Sequence, residues 1–288
     1  MNLLVTGATG HLGSVVIETL LKKIPTNQIS IITRSDQKRA EMETKGFNAY
    51  LGSYDDVLAL EKAMNGVDTV LLISSGDQGD RMQEHKNVVD TAKKMGVKCI
   101  AYTSRSLRDR SSLANKLMVE HFETEDYIKA SGLKYTIFRN ILYMDVISQF
   151  IGGKAALERG IFLPAGDGKV SFALRSEMGE AMANVLLREE CQNKTYNFTG
   201  DKLYSFDDIA TVLTELSGKV VKYNNVEVDV FVSMMKERKL PDLAIKKIVD
   251  FITDIKNNQE AEISSDLEFK LGRKPIQLKE GLKQLFEL

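Results

Sequence analysis

The sharpest chemical signal in the chain is the segment Val5-Thr6-Gly7-Ala8-Thr9-Gly10-His11-Leu12-Gly13. Three glycines follow an apolar run and open an amphipathic one, which describes a strand turning sharply into a helix. Gly7 permits the tight turn. Gly10 carries no Cβ, so a diphosphate can approach the helix N-terminus, where free N–H groups and the helix dipole favour negative charge. Gly13 lets helix and strand pack closely. The backbone from Gly7 through Ala8, Thr9, Gly10, His11 and Leu12 to Gly13 is therefore expected to cradle the pyrophosphate of a dinucleotide. The competing reading is a tight connection with no ligand. A P-loop is excluded, because no Gly-Lys-Ser/Thr follows.

The next informative position lies ~20 residues beyond the last glycine, where an acidic residue would bond the ribose hydroxyls of NAD and a basic one the 2′-phosphate of NADP. Here Ile31-Ile32-Thr33-Arg34-Ser35 supplies Arg34. A guanidinium grips a phosphate through paired, charge-assisted hydrogen bonds, and Ser35 offers another donor. Asp36 is one step further into the loop, among Lys38 and Arg39. The pattern favours NADPH over a solvated loop arginine. Two further serine and threonine runs, Leu72-Ile73-Ser74-Ser75 and Tyr102-Thr103-Ser104, end apolar segments. Ligands of open α/β sheets sit beyond the carboxyl ends of the strands, so Ser74, Ser75 and Thr103 are candidates to line ribose or nicotinamide, with helix capping as the alternative.

These residues need a scaffold, and the hydrophobic pattern describes one. Short β-rich runs at 2–6, 28–33, 47–51, 67–74, 97–104 and 133–139 alternate with helical stretches. Several of the runs are continuously apolar, as parallel strands covered on both faces require. One helix face carries Leu12, Val15, Val16, Thr19 and Leu20, and another carries Val88, Val89, Ala92 and Met95. Alternation of strand and helix predicts an α/β fold, a Rossmann-type doubly wound parallel sheet. Beyond about residue 145 the rhythm changes, with strands expected at 166–170, 195–199 and 219–226, a capped helix at 205–218 and a charged helix at 236–256 broken near Pro241. The expected organisation is a nucleotide-binding core, 1–145, with a smaller C-terminal α+β substrate lobe, 146–288, interleaved with it.

Composition narrows the function further. The 288 residues include 39 basic and 40 acidic side chains, for a net charge of −1, which argues against nucleic acid. The two cysteines, Cys99 and Cys191, are far apart; they read as thiols of a reducing compartment and exclude a disulfide scaffold. The three histidines, His11, His85 and His121, form no metal-binding spacing. No stretch of 18 apolar residues spans a membrane, and no secretory or transit signal precedes Leu3, so a cytoplasmic protein is expected.

The segments TGATGHLG, LLISS at 71–75, GVKCIAYTS at 96–104, EHFETE at 120–125, SGLKYTIFRN at 131–140, AGDGK at 165–169 and YNFTGDKLYSFDDIA at 196–210 run through nearly the whole chain. Together with Arg34 they resemble the NmrA-like group of atypical short-chain dehydrogenases/reductases. Within it the resemblance is to the NADPH-dependent quinone oxidoreductase type 2 branch, with triphenylmethane reductase a near relative. It implies NADPH as hydride donor, Ser74 and Ser75 along ribose and nicotinamide, and residues 140–145 lining the nicotinamide and substrate cleft. Asn140, Tyr143 and Asp145 are the substrate-facing candidates, Asn140 also touching the cofactor. A homodimer is implied by the resemblance alone.

One departure matters. The Tyr-x-x-x-Lys pair of short-chain dehydrogenases falls here on Leu117 and His121. An alkoxide needs a positioned acid, whereas hydride addition to a quinone leaves a weakly basic phenolate that takes its proton from water. The missing dyad therefore counts against alcohol dehydrogenation and is compatible with reduction of a quinone or similar planar acceptor. His121, with an imidazole pKa near neutrality, and Tyr143, with its phenol, are the catalytic candidates. His85, between Glu84 and Lys86, is expected on the surface; Phe150, Phe162, Phe172, Met234 and Met235 either floor a pocket or fill the core. Two other functions stay open: a non-enzymatic dinucleotide sensor of NmrA type, and a reductase of azo or triphenylmethane dyes.

Overall fold

The structure, a computed structural model, describes residues 1–76, 79–188 and 191–288. Nine strands are present among them: β1 (Leu3–Thr6), β2 (Ile29–Thr33), β3 (Asn48–Leu51), β4 (Thr69–Leu72), β5 (Cys99–Arg105), β6 (Lys134–Asn140), β7 (Ile161–Leu163), β8 (Lys194–Phe198) and β9 (Tyr223–Asn225). The helices are α1 (His11–Leu20), α2 (Asp36–Thr44), α3 (Val57–Met64), α4 (Arg81–Lys94), α5 (Lys116–Ala130), α6 (Ile147–Ile151), α7 (Ala156–Arg159), α8 (Arg175–Arg188), α9 (Phe206–Ser217), α10 (Val228–Glu237), α11 (Asp242–Lys256), α12 (Asp266–Leu271) and α13 (Leu278–Phe286).

Seven strands form one sheet in the order β3-β2-β1-β4-β5-β6-β8, and all six pairings are parallel. Every residue of β1, β2, β4 and β5 is buried, which is why these strands read as unbroken apolar runs. The order in which the strands are added reverses between β1 and β4, opening a crevice at their carboxyl ends. One face of the sheet packs Leu4, Val70, Leu72 and Tyr102 against α3, α4 and α5. The other packs Val5, Ala101 and Phe138 against α1 and α8. These two helices cross so closely that a Cβ at Gly179 would lie 2.8 Å from Val15 Cγ1.

The doubly wound parallel sheet is as expected. Its last strand, β8, comes from beyond residue 145 and pairs with β6 from Thr136↔Lys194 to Asn140↔Phe198, so the C-terminal half contributes directly to the sheet. Elsewhere in the C-terminal half, β7 and β9 pair as a separate two-stranded parallel sheet. The expected helix at 205–218 is α9, started by a reciprocal capping box between Ser205 and Asp208 and ended by Gly218 in the left-handed region.

Several expectations are corrected. The run 166–170 is not a strand: Gly166 turns with φ +53° and Gly168 lies flush against α11, where a Cβ would meet Ile255 O at 2.3 Å. Val170 keeps only an isolated bridge to Tyr204. The charged helical stretch broken at Pro241 is two helices, of which α10 starts at Val228, ahead of the expected boundary. The two cysteines are not free thiols. Cys99, at the start of β5, is disulfide-bonded to Cys191, which precedes β8, across a sequence separation of 92. The sheet brings them together, since β6 lies between β5 and β8 and Thr136 of β6 contacts the Cys191 sulfur. No helix among the described residues is long and apolar enough to cross a membrane.

Candidate active site

At the β1–α1 turn, Gly7 has φ +59° and its carbonyl accepts the N–H of Gly10 at 2.9 Å. A Cβ at Gly13 would sit 2.2 Å from that same carbonyl oxygen, so the glycine is required by the fold itself. Gly10 differs: it is exposed, adopts extended backbone, and a Cβ there would touch only Gly7 O at 3.2 Å. Gly10 is the N-cap of α1 and supplies no side-chain cap, and the first turn carries no acidic residue. The helices α2, α3, α4 and α5, by contrast, are each capped by their own Ser35, Asp56, Asp80 or Asn115 side chain. The orphan N–H groups and positive dipole end of α1 are thus open to an anion. Ala8 and Leu12 are buried beneath the turn, while Thr9 and His11 lie along its outer rim.

Arg34 follows β2 directly and is exposed, and no described residue forms an ion pair with it. Its neighbour Arg39 is held instead by Asp36 at 2.8 Å and Glu43 at 2.6 Å. Ser35 accepts the Lys38 N–H as the α2 cap, and Lys38 Nζ reaches Thr9 O at 3.5 Å, tying α2 to the glycine turn.

At the end of β4, Thr103 Oγ1 accepts the N–H of Ser74 at 2.8 Å, so its hydroxyl is engaged in holding the loop. The N–H of Ser75 donates to His85 Nε2 at 3.0 Å, and His85 Nδ1 bonds Thr124 Oγ1 at 2.9 Å. Tyr54 completes the frame by bridging Thr6 Oγ1 at 2.6 Å and Ile73 O at 2.9 Å across β1 and β4; burial pushes its phenol up. His85 is therefore not the surface residue expected. It is 1% exposed, and burial, with the Arg81 charge second, pulls its pKa to about 3.

His121 is corrected too. It is buried, its Nε2 lies 2.7 Å from Arg81 Nη2 and its Nδ1 3.1 Å from Tyr102 OH. Burial first, and then the Arg81 charge, hold it well below the imidazole's ordinary value, so the near-neutral acid anticipated there is a neutral ring in a buried network. Leu117, at the usual tyrosine position, gives its carbonyl to Arg81 at 2.9 Å.

The 140–145 segment crosses from β6 into the C-terminal elements. Asn140 is 1% exposed; its Nδ2 donates to Tyr143 OH at 3.3 Å, and its Oδ1 has no hydrogen-bond partner among the described residues. Tyr143 is half-buried beneath the Arg175 guanidinium, 4.7 Å from its ring centroid, and burial raises its pKa, so the phenol keeps its proton at neutral pH. The Asp145 carboxylate accepts the backbone N–H of Arg175 at 2.8 Å and faces its guanidinium at 3.9 Å, a structural use that orients the start of α8.

Two neighbours escaped sequence reading. Arg105, the last residue of β5, is the register partner of Asn140 on β6. Its guanidinium pairs with Glu260, which is 1% exposed and also accepts the N–H of Leu142 at 3.2 Å. The signal available was position, because Arg105 stands one residue past the apolar run that ends at Ser104. Farther into the C-terminal half, a cavity of about 370 Å³ is lined by Phe150, Phe162, Phe231, Met234, Met235 and Ile248. Phe172, considered with them at first, is core.

The dinucleotide fits what is present: an exposed glycine whose missing Cβ is not demanded by packing, an uncapped helix end, and an unpaired guanidinium one strand away. Similarity to known proteins agrees with this arrangement. The chain is 36% identical over 285 residues to quinone oxidoreductase 2 of Escherichia coli, covering 99% of this chain and 98% of that one. The crystal structure of the Escherichia coli NADPH-dependent quinone oxidoreductase complexed with NADPH superposes with TM-score 0.91, at 36% identity and 99% coverage of both chains. Citrobacter sp. triphenylmethane reductase complexed with NADP(H) superposes at 0.90 with 33% identity, covering 99% of this chain and all (100%) of that one. Residues 1–287 match the NmrA-like family, and this chain belongs to it.

Proposed function

We propose that this protein is an NADPH-dependent oxidoreductase that passes hydride to a quinone or a similar planar electron acceptor. The observation that carries the reading is the pairing of an open, uncapped α1 N-terminus at Gly10 with the unpaired Arg34 at the end of β2. The first receives a pyrophosphate and the second a 2′-phosphate, which selects NADPH over NADH. When bound, NADPH supplies a hydride; the protein's part is positioning and exclusion of water.

Ser74 and Ser75, braced by Thr103 and His85, flank the ribose and nicotinamide side of the crevice. Asn140 and Tyr143 face the acceptor, and Tyr143 OH holds a proton that can pass to a hydroquinone oxygen. His121 serves through Arg81 and Tyr102 as part of the buried frame. Likeness to triphenylmethane reductase supports cationic dyes as further acceptors for the same cleft.

The test is NADPH consumption, followed by near-ultraviolet absorbance, with 1,4-benzoquinone and then with a triphenylmethane dye. Consumption well above the uncatalysed rate, and much slower with NADH, is expected. Tight NADPH binding without turnover of any acceptor would replace this reading with that of a dinucleotide sensor.

A further inference from the structure

Arg105 and Asn140 end adjacent parallel strands as direct register partners, which places their side chains on the same face of the sheet. Both are buried, and each retains one polar atom with no hydrogen-bond partner among the described residues: the donor Nε of Arg105 and the acceptor Oδ1 of Asn140. Such orphans are uncommon and costly inside a protein, and here a donor and an acceptor end neighbouring strands. The arrangement is rigid. Glu260 holds the Arg105 guanidinium through Nη2 and anchors Leu142 through its other oxygen. Phe251 lies beside the guanidinium, 5.8 Å from ring centroid to Cζ, and Asn140 is bonded to Tyr143. Glu260 engages Nη2 and leaves the buried Nε–H without an acceptor among the described residues.

We propose that Arg105 is a catalytic residue that binds the acceptor oxygen on which negative charge develops, with Asn140 accepting the hydrogen of the hydroxyl that forms. The proposal rests on the quinone-reductase reading. The reaction is quinone + NADPH + H⁺ → hydroquinone + NADP⁺. Hydride carries two electrons to the quinone and forms an O–H bond at one oxygen; both carbonyl π bonds are lost as the ring becomes aromatic, and the other oxygen is left anionic. Arg105 Nε–H donates to that oxygen, and a proton from Tyr143 OH or solvent then neutralises it. A fixed donor aimed at developing oxyanion charge acts on the transition state more than on the ground state. The substrate class follows: acceptors whose reduced form is an oxygen anion depend on Arg105, whereas a cationic triphenylmethane dye, which becomes neutral on accepting hydride, does not.

The test compares wild type with Arg105→Met, Arg105→Lys and the double variant Arg105→Met/Glu260→Met, which leaves no buried carboxylate without its partner. Thermal melts and NADPH fluorescence titrations identify folded, cofactor-competent protein. For 1,4-benzoquinone, kcat/KM is expected to fall about tenfold to a hundredfold in the double variant and less in Arg105→Lys. Turnover of the cationic dye should change less than threefold. A readout without turnover uses 4-nitrophenol and NADP⁺: wild type should lower the phenol's apparent pKa and deepen the yellow of its anion, and the double variant should not. Unchanged benzoquinone kinetics, or an equal loss on quinone and dye, in a folded double variant overturns the role of Arg105 while the reductase reading stands. Wild type that reduces no quinone overturns both.

Discussion

Ser75 donates its backbone N–H to Nε2 of His85 across 3.0 Å, and this bond sets the state of the ring as well as the place of the serine. An Nε2 that accepts leaves the proton on Nδ1, which then donates to Thr124 Oγ1, whose own hydroxyl goes on to Glu120 O at 2.9 Å. Protonating the ring would make Nε2 a donor facing another donor. The histidine expected on the surface is therefore a neutral strut under the loop that follows β4.

Stability should accordingly fall on mild acidification. Unfolded His85 binds a proton near ~6.5, but folded His85 does so only at about 3, so between these values the unfolded state holds more protons. The stabilisation is complete above ~6.5 and is lost as pH falls towards 3. His121 shifts in the same direction and adds to the effect. The unfolding free energy, read from urea titrations between pH 7.5 and 5, should drop by up to ~1.4 kcal/mol per pH unit for each histidine. His85→Gln should flatten the slope; a slope identical to wild type would remove His85 from the account.

Arg34→Ala should weaken NADPH binding about tenfold to a hundredfold, the worth of hydrogen bonds to a charged group. NADH, which lacks the 2′-phosphate, should bind as before. Isothermal titrations with both nucleotides decide it, and equal losses would place the 2′-phosphate elsewhere.

The glycines should separate into two classes. Gly13→Ala puts a methyl 2.2 Å from a backbone oxygen and should cost more than about 3 kcal/mol of stability, read by denaturant titration. Gly10→Val has extended backbone that any residue adopts and more room, so the protein should fold with a near-native melt yet fail to bind NADPH. Retained affinity in a folded Gly10→Val protein would show that no pyrophosphate sits there.

Breaking the Cys99–Cys191 bridge, by reductant or as Cys191→Ser, should cost about 2–4 kcal/mol, because it releases a closed loop of 92 residues in the unfolded chain. NADPH affinity should be unchanged, since Cys99 begins β5 whereas the crevice lies beyond Arg105 at its other end. Melts with and without dithiothreitol, paired with nucleotide titration, test both halves of the statement.

What could be read from sequence follows the range of the interactions involved. The β1–α1 turn, the alternating strands and the capped α9 are local patterns, and each stands where expected. The elements that failed depend on distant partners. The Cys99–Cys191 bridge needs β6 between its halves, the Arg105–Glu260 pair joins positions 155 residues apart, and Gly168 is placed by α11. His85 and His121 were misjudged for the same reason. The residues that fix their surroundings are contributed by other elements: Thr124 of α5 for His85, and Arg81 of α4 and Tyr102 of β5 for His121.

Because β8 closes the sheet on β6, the order of synthesis has a consequence for the nascent chain. When residue 140 leaves the ribosome, β6 presents a full edge of unpaired backbone, and its partner strand is not yet made until residue 198. The half-made sheet must wait, exposed to pairing with any passing strand, so this chain is a candidate client for chaperones that shield strand edges during translation. A fragment ending near residue 145 would carry the same open edge permanently and should accumulate as aggregate.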